Sequence, residues 1–312
     1  MSDPLSEIFD LVGVESSVYF QKDFCAPWGM RVENTGYAQF HILVRGEASL
    51  RSGNRNETLN AGDVVLFPKG AAHLISDSPD SPGIPGQDVI RAHLAGDPLF
   101  EGSGRRTRMI CGHFEYDFDT KHPLVQEFPD TILIRSDVLP SMIDLTGLLN
   151  ILIKESNVSK PGTDVLIQKL SEALLVTILR AYFEISENRT GFHAGLREPR
   201  IARVISAIHE ANWDELGLEK LAIVAGMSRS ALALQFKSII GYSPGEYSIR
   251  WKLLKASRRL TQSTESVDEI ASQSGYKSST AFSRAFQRMF SMTPSEYRRT
   301  KTNIPPIEQA SG

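Results

Sequence analysis

The stretch GYKSSTAFSRAFQRMFSMTPSEYRR, Gly275 to Arg299, decides the reading of this chain. Its pattern occurs once before. Leu221-Ala222 and Gly226 match Ile270-Ala271 and Gly275 at an offset of 49 residues. Phe236, Pro244, Glu246 and Tyr247 match Phe286, Pro294, Glu296 and Tyr297 at an offset of 50. The slip of one places an extra residue in the second turn. Each unit reads as helix, glycine-containing turn, helix. Ala222 and Ala271 are small where two helices cross closely, and Gly226 and Gly275 accept the left-handed conformation after a helix end. That is the grammar of a helix-turn-helix, whose second helix enters the DNA major groove. A helix from about Pro244 to Leu260 ties the copies together, a spacing suited to two groove segments about one helical turn apart.

Charge follows the same division. The net charge of -3 hides a basic end: residues 197–301 carry +7 and residues 1–196 carry -9. A basic third behind an acidic body fits a polyanion-binding module fused to a second function. At 312 residues there is room for two domains, and 41% hydrophobic content suits full cores. With only Cys25 and Cys111, a disulfide framework is excluded. The first twenty residues carry Asp3, Glu7, Asp10 and Glu15 and lack the apolar segment of a secretion signal, so a cytoplasmic protein with no membrane partner is expected.

Upstream, residues 17–75 read as short strands. Phe40 to Val44 is β-rich, Ser52-Gly53-Asn54 is turn-like, and Val64 to Phe67 lies between Gly62-Asp63 and Pro68-Lys69-Gly70. Turn signals every 8–12 residues predict an antiparallel sandwich or barrel. Residues 76–88 read as a loop, and Met109 to Phe114 as a returning strand. From about Leu139 the period becomes helical. Leu145, Leu148, Leu149 and Leu152 share one face, and Leu166, Leu170, Leu174 and Ile178 share another. These faces are expected to cap the β-domain or to form a homodimer contact. The resulting division is an α+β chain. A sensor spans 1–135, a helical segment 136–187, a linker 188–198, a DNA-binding domain 199–301 and a tail 302–312.

At Leu221 to Arg299 the sequence resembles the DNA-binding domain of AraC/XylS-type transcription regulators. The first 120 or so residues resemble the cupin-like sensor domains of one branch of that family, through APWGMR (Ala26 to Arg31), GDVVLFPKGAAH (Gly62 to His73) and CGHF (Cys111 to Phe114). The resemblance implies a β-barrel sensor, double-stranded operator DNA and RNA polymerase as partners, and activation as the mode. It also implies that Ser279, Thr280 and Arg284 face DNA with Arg288 near phosphate. In the first unit the corresponding positions are Ser230, Ala233 and Leu234, where alanine and leucine offer no hydrogen-bond donor and only a surface for a thymine methyl. Arg229, Lys237, Lys252 and Lys277 are the expected phosphate contacts.

The sensor's chemistry is left open among three readings. His41, Glu47 and His73 occupy three of the four metal-ligand positions of the cupin motifs, with Leu43 replacing the fourth. Cys111 and His113 alternate on one strand and so share a face. His41, His73, Cys111 and His113 form a donor set that zinc or another transition metal would take. DNA binding itself needs no cofactor. Cys25 and Cys111, on neighbouring strands, would make a redox pair, with His113 and Arg108 near the thiol. A small organic effector would meet Trp28, Arg31, Phe40 and His73 along the barrel wall. The rival to a regulator is a cupin-type metalloenzyme with a helical appendage. A doubled helix-turn-helix argues against it, because an enzyme has no need of one.

Overall fold

A computed structural model describes residues 3–115, 122–138, 142–155, 157–158, 160–210 and 217–302. The elements in chain order begin with α1 (Pro4–Val12) and seven strands: β1 (Glu15–Cys25), β2 (Gly29–Val32), β3 (Ala38–Arg45), β4 (Glu47–Ser52), β5 (Arg55–Asn60), β6 (Val64–Phe67) and β7 (His73–Ser76). Then follow β8 (Ile84–Pro85), α2 (Gly86–Ala95), β9 (Arg106–Glu115), α3 (Pro123–Glu127) and β10 (Ile132–Ile134). The rest is helical: α4 (Ile143–Glu155), α5 (Thr163–Ile185), α6 (Phe192–Arg197), α7 (Pro199–Glu210), α8 (Leu218–Ala225) and α9 (Arg229–Ile240). It ends with α10 (Pro244–Gln262), α11 (Val267–Gln273), α12 (Ser279–Phe290) and α13 (Pro294–Thr302). The expected tail falls, from residue 303 on, outside the described residues.

Two compact units result, and their division differs from the one read in sequence. All ten strands with α2, α4 and α5 make one unit. The other holds α6 to α13 together with α1 and α3. The expected linker at 188–198 contains α6, whose Phe192, His193, Ala194 and Gly195 are buried. It is therefore part of the helical core.

The β-unit is two five-stranded sheets, in the orders β1-β9-β3-β6-β10 and β5-β4-β7-β2-β8. Among the described residues no ladder joins them, so the expected barrel takes the form of two sheets sharing one core. That core draws Phe24, Trp28, Met30, Leu43, Leu50, Val65, Phe67, Ile75, Met109 and Cys111 from both sheets. β3 lies in the middle of its sheet and is buried from Ala38 to Leu43. A continuous apolar run is what a strand covered on both faces requires. Gly53 turns the β4–β5 hairpin in two residues, at φ 55°. Helix α5 packs against α4, β1 and β10.

Of the two roles expected for these leucine faces, burial matches packing on the β-domain for most positions, while Leu166 is 43% exposed. Leu145, Leu149, Leu152, Leu174 and Ile178 are buried within the unit. Helical periodicity identified the inward stripe, and the inward stripe packs on its own chain.

Candidate nucleic-acid interface and sensor core

The two helix-turn-helix units are built by the same local rules. Gly226 and Gly275 are left-handed, at φ 65° and 74°. The next N–H in each case folds back on the helix, Met227 to the Ala222 carbonyl at 2.9 Å and Tyr276 to the Ala271 carbonyl at 3.0 Å. Ser228 and Ser278 then cap α9 and α12. Each hydroxyl accepts the N–H three residues on, from Ala231 and Ala281, at 3.2 Å. Between glycine and cap lie one residue in the first unit and two in the second, which makes Lys277 the added residue. The inward faces are Leu232, Phe236, Ile240 and Phe282, Phe286, Phe290. Both units close on the next helix through a capping box, Ser243 with Glu246 and Thr293 with Glu296.

The outward faces carry most of the expected contacts. Arg229, Ser230, Leu234 and Lys237 are exposed on α9, and Thr280, Arg284 and Arg288 on α12, with Lys277 exposed just before it. Leu234 is 75% exposed, too open for a core leucine, and it stands at the repeat position of Arg284. Ala233 and Ser279 are half-buried and sit at the edge of these faces, and Lys252 is half-buried on α10. Sequence reasoning missed Ser238 and Gln287, which are exposed. Thr280, Arg284 and Gln287 follow the spacing i, i+4, i+7, so helical periodicity held the signal for Gln287.

In the sensor core, three of the expected residues form a directed chain. His73 Nδ1 lies 2.8 Å from the Ala71 carbonyl, which only accepts, so that nitrogen carries the hydrogen. His73 Nε2 therefore accepts from His41 Nε2 at 2.8 Å. That leaves His41 Nδ1 to accept the Cys111 thiol hydrogen at 3.0 Å. Burial keeps both imidazoles neutral. It holds His41 well below the usual range, helped by His73, and draws His73 down to about 4. Burial also pushes the Cys111 thiol up, so it stays protonated.

This geometry corrects the metal reading. Cys111 and His73 bond opposite nitrogens of the His41 ring, so no single ion reaches all three. His113 lies apart, stacked 4.9 Å from Tyr19 and bonded to Glu115 at 2.9 Å. Glu47 is exposed and paired with Arg105 at 2.7 Å. Among the described residues no group of three histidines, cysteines or carboxylates could hold a metal ion.

The redox pair is corrected as well. On the β1–β9 ladder Cys25 stands opposite Arg106, whereas Cys111 stands opposite Phe20. Five residues of strand, about 17 Å, separate the thiols, and a disulfide tolerates less than about 7 Å between Cα atoms. Nor do His113 and Arg108 activate Cys111, whose hydrogen-bond partner is His41. Along the wall, Trp28 is buried between Phe24 and Phe100, with ring centroids 5.4 and 6.5 Å away. Arg31 faces outward to Glu33 at 3.2 Å. Phe40 stacks on Phe114 at 4.8 Å and does not belong to the shared core.

A pH prediction follows from His73. Its folded pKa is depressed, so the unfolded chain binds more protons between about pH 6.5 and pH 4. Stability is full above pH 6.5 and falls toward pH 4. Thermal midpoints measured across that interval should fall less steeply for His73→Gln than for wild type.

A two-sheet domain joined in one chain to a doubled, capped and basic helix-turn-helix defines a regulator of transcription. The family comparisons agree. Residues 3–184 match the cupin family model and residues 221–300 match a helix-turn-helix domain model. The chain is 29% identical to the HTH-type transcriptional regulator MtrA of Neisseria gonorrhoeae, over 95% of this chain and 98% of that one. It is 25% identical to a putative AraC-like transcription regulator of Streptomyces lividans, over 96% and 99%. It is also 25% identical to the RCS-specific HTH-type transcriptional activator RclR of Escherichia coli, over 86% of each. The chain belongs to the AraC-type transcription regulators with a cupin N-terminal domain. It is a DNA-binding regulator of transcription. No helix among the described residues is long and apolar enough to cross a membrane.

Proposed function

We propose that the chain is a cytoplasmic, homodimeric activator that reads its operator with α9 and α12, contacts RNA polymerase, and answers to a small organic effector held between the two sheets. The single observation behind the effector is Trp28. Its indole N–H is buried and, among the described residues, has no hydrogen-bond partner. A buried donor without an acceptor costs about 1–3 kcal/mol. An apolar molecule carrying one oxygen or nitrogen acceptor would satisfy it among Phe24, Phe100 and Met30. Activation is favoured by the name of the E. coli relative. The test is reporter induction alongside DNA binding. Trp28→Phe should lose induction and keep DNA binding, while Cys25→Ser and Cys111→Ser keep both. Full induction in Trp28→Phe would place the effector elsewhere.

The dimer contact is assigned to the exposed side of α4 and α5, which keeps only Leu166 of the faces read in sequence. Ile143, Gly147 and Ile151 lie at i, i+4, i+8 on α4 and are exposed, with Val165 and Leu166 exposed on α5. Ile143, an apolar residue, is 79% exposed among the described residues. Ile143→Asp with Ile151→Asp should sediment as a folded monomer, whereas Leu149→Asp should misfold. A wild type that is monomeric at micromolar concentration, with and without DNA, would refute the assignment.

A further inference from the structure

The helical unit contains a buried polar chain that the helix-turn-helix grammar does not require. His122, just before α3, accepts the Leu124 N–H at Nδ1, 3.1 Å away, so its Nε2 carries the hydrogen. That hydrogen points at Tyr247 Oη, 3.1 Å distant. Tyr247 passes its own hydrogen to His209 Nε2 at 2.8 Å. His209 Nδ1 is then the protonated nitrogen, and it faces Glu7 of α1 across 3.8 Å. Lys255 lies 3.7 Å from the same Glu7 oxygen and donates to the His209 carbonyl at 3.0 Å. Trp251 stacks on the His209 ring, centroids 3.6 Å apart and planes within 5°. Every bond has one allowed direction, and His122, His209, Tyr247 and Trp251 are each almost fully buried.

Three of these residues, Tyr247, Trp251 and Lys255, sit on α10. That helix is the rod between the two helix-turn-helix units. Its first turn touches Phe236 of α9 through Tyr247, centroids 5.7 Å apart, and its last residues are held by Arg298 of α13 at the Leu260 carbonyl. Whatever fixes the start of α10 fixes the distance between α9 and α12. From outside the helix-turn-helix repeat, α10 is met by His209 of α7 and Phe192 of α6, and by two groups from the N-terminal part of the sequence, His122 at Tyr247 and Glu7 at Lys255.

We infer that His122 and Glu7 are positioning residues for DNA binding: acting through Tyr247 and His209 they hold α10, and so set the spacing at which the two recognition helices meet DNA. They touch no base. Their effect is on which spacing of DNA segments is accepted.

The experiment uses the full chain and a duplex selected by the wild type from a random-sequence pool. A second duplex has one base pair inserted between the two protected segments. The wild type should prefer the first. Tyr247→Phe, which keeps the ring and removes only the hydroxyl, and His122→Ala should each bind the selected duplex about tenfold more weakly, the scale of one buried partner left unsatisfied. Both should bind the inserted duplex as the wild type does, with footprints still covering both segments. Glu7→Ala should shift the preference the same way. The double variant should be no weaker than the weaker single, because one chain is broken twice. His122→Gln keeps an N–H for Tyr247 and should restore the preference. If His122→Ala does not fold, Tyr247→Phe against His122→Gln carries the same comparison. Equal loss on both duplexes, loss of the α9 footprint, additive losses, or unchanged preference in Tyr247→Phe would each overturn the inference.

Discussion

Phe286→Ala unfolds the second helix-turn-helix unit well before the rest of the chain. Phe286 is fully buried, with Phe290, Tyr297 and Phe282 at centroid distances of 4.4, 5.4 and 5.6 Å. Removing such a ring costs about 3–5 kcal/mol, part for lost transfer and part for the cavity. A small helical unit has little reserve beyond that. Denaturant titrations should show an early transition absent from the wild type, and affinity for the selected duplex should fall with it. A single transition shifted by less than the cost of a surface substitution would contradict the packing described for α12.

Arg284→Ala leaves the fold intact and removes specificity. Arg284 is exposed on α12, one turn after Thr280 and one before Arg288. A bidentate arginine–guanine contact is worth about 1–3 kcal/mol, roughly five- to 150-fold, and the loss should concentrate on one base pair. The partner position in α9 is Leu234, which makes only apolar contact, so Leu234→Ala should cost less and affect a thymine. Arg288→Ala should instead weaken all sequences alike and reduce the salt slope by about one. The ranking fails if Arg284→Ala loses no more than Ser230→Ala.

The repeat was readable because its rules are local. A glycine, a serine cap, an aromatic every fourth residue and a proline-led helix each act within a few residues, so the order of symbols carries them. The sheets were readable for the same reason, through turns and β-rich runs. The sensor chemistry was not. Cys111 and His113 share a strand face, as parity requires, yet one bonds His41 and the other Glu115. Which neighbour each meets depends on register across three strands. The ladder between β1 and β9 also slips between Val18 and Phe20, which no sequence pattern announces. The leucine faces of α4 and α5 were ambiguous for a different reason. Periodicity identifies an apolar stripe, and the same stripe serves a core or a partner. Least legible of all was the membership of α1 and α3 in the helical unit, since Glu7 and His122 meet residues more than a hundred positions away.

That membership sets an order of events during synthesis. Helix α1 leaves the ribosome before the other described elements, with Ile8 and Val12 on the face it will bury against α7 and α10. Those helices emerge some two hundred residues later, about 10–50 s at ordinary elongation rates. Until then the β-unit can complete its sheets, but the first helix has nothing to rest on. The nascent chain thus carries an uncovered apolar helix while all the strands of the β-unit are made. Its yield in the cell should depend on a chaperone that shields short apolar helices, and on how fast the codons for α7 to α13 are read.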